Sequence, residues 1–140
     1  MKKTILKFAT VTALLTSGLV NASASEISKL DVKKECNVQA NGIEKVIETA
    51  AKYNEIAVKH KVEFMRLGMK ASQYIDAVNS ALKSGAKTID IVDAKGKKTS
   101  EAPIEFAAWR ACSFAISALT QEEEAKTTWK LASPSDEYKY

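Results

Sequence analysis

The stretch from Pro103 to Leu119, PIEFAAWRACSFAISAL, is apolar around almost its whole circumference, and it constrains the fold more than any other part of the chain. Projected at about 100° per residue, its polar side chains Arg110, Ser113 and Ser117 share one narrow arc, and only Glu105 lies away from them. A helix with so little polar surface is expected to be covered by several neighbours. It reads as the central helix of a small helical domain, carrying Cys112 in its middle.

The start of the chain reads as an export signal. Lys2 and Lys3 precede a short apolar run from Ile5 to Val20, and Ala22-Ser23-Ala24 has the small-residue pattern that signal peptidase recognises. Residues 1–24 are therefore expected to be a signal peptide cleaved after Ala24, which directs the product to the periplasm. Lys7, the threonines and Gly18 interrupt the apolar run, so no membrane span is expected from it, since a spanning helix needs about 20 apolar residues. No cysteine sits at the cleavage point to accept a lipid; the first is Cys36.

The leader also accounts for most of the basic character. The chain has 21 basic and 17 acidic residues, and the leader holds Lys2, Lys3 and Lys7 with no acid, so the remainder is close to neutral. That excludes the strongly basic domain a nucleic-acid partner would call for. Residues 25–133 are expected to form a single helical domain, and 134–140 a flexible tail. A chain of this size buries about two thirds of its unfolded surface, enough for one core that gains from a staple.

Within the domain, residues 25–40 read as a short amphipathic helix or an extended arm, ended by Asn41-Gly42. From Ile43 to Leu82 apolar residues recur every three or four positions without a proline. One straight helix of that length would be about 63 Å long, against an expected radius of gyration of about 13 Å. A bend or a hairpin is expected instead, placed at Asn54 to Lys61 where Lys59, His60 and Lys61 interrupt the stripe, with Gly68 as the second choice. Val58, Val62, Met65 and Met69 form a second apolar row beside the first, so a helix over 62–84 should contact more than one neighbour and end at Ser84-Gly85. The β-branched Ile89, Ile91 and Val92, followed by a turn-like Asp93 to Gly96, predict a short β-hairpin or ordered loop at 88–99. Pro103 suits the first turn of the central helix. Thr120-Gln121-Glu122-Glu123 spells a capping box, which predicts a kink or a fresh helix there, with Trp129 packed inward and Pro134 as the stop. The fold class expected is all-α, a disulfide-stapled bundle of about four helices.

Among residues that carry chemistry, Cys36 and Cys112 are the clearest. Two cysteines without a Cys-x-x-Cys spacing in an exported chain are expected to form one structural disulfide. On the chain-entropy model, a loop this long gains roughly 4.5 kcal/mol from closure. His60 is the single histidine, flanked by Lys59 and Lys61, so neither a catalytic triad nor a histidine-rich metal site can be assembled. Met65 and Met69 are soft ligands in principle, but core packing explains them better. The turn Lys95-Gly96-Lys97-Lys98 reads as a solvated basic loop. Asp90 and Asp93, and Glu122 to Glu124, are neighbouring carboxylates with nothing that sets an acid opposite a base. No catalytic, cofactor or metal site is expected.

The plan of leader, compact helices and one disulfide is similar to that of small envelope proteins such as stress chaperones and the immunity proteins that neutralise secreted toxins. Together with the lack of a catalytic motif, it implies a non-catalytic protein-binding module whose partner is another envelope or secreted protein. The alternative is a periplasmic carrier of haem or another small molecule, with Met65, Met69, Phe64, Tyr74, Phe106, Trp109 and Phe114 as lining.

Overall fold

The computed structural model describes residues 23–66 and 68–132, and shows a mostly helical chain with two small antiparallel sheets. The expected leader, Ser23 and Ala24 apart, and the expected tail lie outside the described residues, as does the side chain of Trp129.

The arm at the start resolves into three single turns, α1 (Ala24–Ile27), α2 (Val32–Glu35) and α3 (Val38–Asn41). Short polar side chains bonding to nearby backbone are the local reason. Asp31 accepts the Lys33 amide at 2.8 Å and Asn37 that of Ala40 at 3.0 Å, so each new turn begins on its own cap. Asn41 Nδ2 donates back to the carbonyls of Lys34 and Glu35, satisfying groups that the end of α2 leaves open. Helix α4 (Ile43–Lys59) follows and buries Val46, Ile47, Ala50 and Ala57. It stops inside the window where the lysines interrupt its stripe: His60 closes it, and Lys61 takes a left-handed φ of 61°.

The all-α expectation is overturned beyond this point. Residues 62–66 and 68–70 are not helical, and the next helix, α5 (Ala71–Ser84), starts well after the expected residue 62. Between them the chain doubles back as a minimal hairpin of β1 (Met65–Arg66) and β2 (Met69–Lys70), pairing Met65 with Lys70 and Arg66 with Met69. The three-or-four spacing of Val62, Met65 and Met69 imitates a helical row; the turn chemistry decides otherwise. Gly68 has φ +87°, and a Cβ there would lie 2.7 Å from the backbone of Asp93 and Ala94, so only glycine fits. Met69, buried below, accepts the Val92 amide on its sulfur at 3.4 Å.

The second sheet pairs β3 (Thr88–Val92) with β4 (Lys98–Pro103), from Thr88 opposite Pro103 to Val92 opposite Lys98, with a bulge between Ile91 and Val92. It extends past the expected 88–99 to Pro103, which ends the strand instead of opening the helix. Ile89 and Ile91 point into the core, as strand alternation requires. Asp93 Oδ1 shapes the turn by accepting the amides of Lys95 and Lys97.

Helix α6 (Ile104–Ala132) is continuous through Thr120, so the expected kink or fresh start is absent. Thr120 donates its hydroxyl to the Ser117 carbonyl, a bond back to its own helix, and no glycine or proline interrupts the segment. This helix touches each of the other five. Its contact face is built from Ala107, Ala108, Ala111, Ala115 and Ala118, whose small side chains let neighbouring backbones approach, with Ile116 and Leu119 filling the deeper space. The disulfide between Cys36 and Cys112 joins residues 76 apart, and both cysteines are fully buried. Ile27 seats the arm in a second apolar cluster with Ile56, Ala57, Ala118 and Leu119.

Candidate functional site

Helix α6 is not covered all round. Its buried residues occupy roughly half the circumference, and the opposite stripe, Phe106, Arg110, Ser113, Phe114, Ser117 and Gln121, faces outward or lies half-buried with Trp109 at its edge. Phe106 is 39% exposed and Trp109 43%, which is high for side chains of this size. The polar arc read from the sequence marks this open stripe.

The stripe is organised by stacking. Phe106 and Trp109 lie 5.7 Å apart between ring centroids, the Arg110 guanidinium sits 4.7 Å from the Phe106 ring and 5.6 Å from that of Phe114, and Phe114 meets Phe64 edge-on at 6.2 Å. Tyr74 of α5 supports Phe114 from below at 6.0 Å. A continuous line of rings with one cation inserted thus runs from the start of α6 to the loop before β1. Where it reaches the hairpin there is a cleft of about 430 Å³, lined by Phe64, Met65, Arg66, Ser113, Phe114, Ser117 and Gln121. Met65 is 61% exposed at its mouth, a correction to its expected place in the core.

The polar groups here are under-satisfied. Arg110 Nε, Ser113 Oγ and Tyr74 Oη are buried without a hydrogen-bond partner among the described residues, each costing about 1–3 kcal/mol relative to a satisfied group. Among the described residues neither Arg110 nor Arg66 has an acidic side chain within ion-pair distance, as is also true of many of the lysines. The larger cleft of about 640 Å³, between the arm and the distal part of α6, differs in this respect. Its Glu123 is held by Lys126, and none of the unsatisfied buried atoms line it.

The remaining sequence candidates fall into structural roles. His60 Nδ1 bonds Glu122 Oε2 at 2.7 Å, tying the end of α4 to α6. Burial pushes the Glu122 carboxyl up, but bonds from His60 and Lys126 outweigh it and hold it below the ordinary carboxylate range. His60 and Met69 do not line the cleft that contains Met65, so the three are not gathered as a ligand set. Lys98 of the basic turn bridges Asp90 across the hairpin at 2.7 Å and Glu101 on its own strand. One functional-looking group escaped the sequence reading: Glu63 accepts from the Ser72 amide at 2.9 Å and from buried Asn54 at 3.1 Å, and these bonds outweigh its burial to lower its pKa. It caps α5 and faces no cleft partner, so its role is structural.

No protein-family model, curated protein or solved structure matches this chain. Among the described residues there is no group of three or more His, Cys, Asp or Glu placed to hold a metal ion, and no helix long and apolar enough to cross a membrane. What the stripe offers is contact area: rigid aromatic faces, a soft methionine and two guanidinium groups around a shallow cleft.

Proposed function

We propose that the protein is a non-catalytic binding module of the periplasm, and that the open stripe of α6 with the β1–β2 hairpin engages another envelope or secreted protein. The buried Cys36–Cys112 disulfide is compatible with an oxidising compartment outside the cytoplasm. The observation that carries the binding role is the exposed Met65, Phe106 and Trp109 beside two arginines that have no acidic partner among the described residues. Aromatic residues, methionine and arginine are the types enriched at the energetic centres of protein interfaces. Inhibition of a secreted enzyme and assistance to an unfolded client are both forms this role takes.

The test is site-specific photo-crosslinking in the native envelope. A photoreactive phenylalanine replacing Trp109 is expected to give a discrete heavier species, and the same group replacing exposed Lys83 on α5 none. Equal labelling from both positions, or none from either, counts against the proposal.

The second reading, a small-molecule carrier, is favoured by the aromatic lining and size of the cleft, which falls within the usual range for ligand pockets. A haem version requires an axial ligand, and His60 is engaged by Glu122 instead. An unshifted Soret band on mixing the protein with haem removes that version.

A further inference from the structure

We propose that the occupant of this face is a protein segment presenting a carboxylate beside a bulky apolar side chain; this rests on the binding role proposed above and names the chemistry of the partner. The charge pattern comes first. Along the open stripe from Phe106 to Gln121 there is no acidic residue, yet Arg110 stands at its centre and Arg66 at its hairpin edge. An anion from outside is the complement this surface lacks.

The geometry selects a carboxylate. The Arg110 guanidinium lies 4.7 Å from the Phe106 ring and 5.6 Å from the Phe114 ring, contacts that restrain it and remove part of its surface from water. A planar fork held in this way suits bidentate recognition of a carboxylate better than a mobile lysine would. Next to it the cleft walled by Phe64, Met65 and Phe114 has room for one or two large apolar side chains. Acid and apolar group must therefore be neighbours in the occupant.

Two other occupants fit less well. A flat membrane surface would meet the arginines and Trp109 but leave the cleft unfilled. A second copy, pairing this face with itself, would bring like charges together without an acid between them.

The experiment is selection of a random dodecapeptide display library on the oxidised full-length protein. Enriched peptides are expected to carry Asp or Glu adjacent to Phe, Trp, Leu or Met. The best peptide should lose affinity about tenfold or more when Arg110→Met replaces the guanidinium, a smaller factor with Arg66→Gln, and nothing with Lys83→Ala. Replacing the peptide's own acid by its amide gives the same readout without altering the protein, so a poorly folded arginine variant does not obscure the answer. The proposal is overturned if no peptide is enriched, or if enriched peptides lack the acid. Binding that is unchanged by the amide peptide overturns it equally, as does sedimentation with phosphatidylglycerol vesicles that depends on Trp109 and Arg110. Should crosslinking from position 109 capture a partner while the selected peptides carry no acid, this inference fails and the binding role stands; should crosslinking also fail, both fall.

Discussion

Single residues hold the two departures from helix in place. Gly68 has a positive φ and no room for a Cβ against Asp93 and Ala94. Gly68→Ala is expected to cost about 1–3 kcal/mol from the backbone conformation alone, with the clash added to it. Thermal melting that matches wild type would contradict the hairpin geometry. Glu63 and Glu122 act at the joins between elements, and both are held below the ordinary carboxylate value of 4.5 by hydrogen bonds that exceed the effect of burial. A carboxyl whose folded-state pKa is depressed adds stability above its unfolded value, and that stability is lost as pH falls through the folded one. The melting temperature should therefore drop as pH is lowered beneath about 4.5, and Glu63→Gln should melt lower at neutral pH with a shallower acid slope. An acid slope identical to wild type would remove Glu63 from this role.

Among the elements, α6 decides the most. Its continuity predicts that Thr120→Ala changes stability by less than about 0.5 kcal/mol, as for a half-exposed mid-helix site, whereas loss of a genuine N-cap costs about 1 kcal/mol. Denaturant titration of that one variant separates the two. The apolar period of α4, the glycine end of α5, the β-branched residues of the second hairpin and the pairing of the cysteines were all legible in the sequence, because each is written in local spacing or in residue type. The break at Lys59 to Lys61 was legible too, as an interrupted stripe. The β1–β2 hairpin was not, since Met65 and Met69 keep a helical interval and the constraint on Gly68 comes from Asp93 and Ala94, distant in sequence. The capping box at Thr120 misled because its two partners bond within the continuing helix, Thr120 to the Ser117 carbonyl and Glu123 to Lys126. The open stripe was half legible: Arg110, Ser113 and Ser117 mark its arc, but the exposure of Met65 and the approach of Arg66 depend on the hairpin.

For the whole molecule, the disulfide and the open stripe lie on one helix with opposite duties. On the covered side Cys112 ties the arm to α6 inside the main core. Replacing both cysteines by alanine is expected to remove up to about 4.5 kcal/mol, seen as a lower denaturation midpoint; a loss below about 1 kcal/mol would show that the staple adds little. On the other side, Phe106 and Trp109 contribute contact area that folding does not need. The most direct test of that division is partner recovery by the double variant Phe106→Ser, Trp109→Ser, compared with wild type at equal folded concentration checked by circular dichroism. The account predicts that the variant melts within a few degrees of wild type and no longer retains the partner crosslinked from position 109. Full retention of that partner, or collapse of the fold, would contradict it.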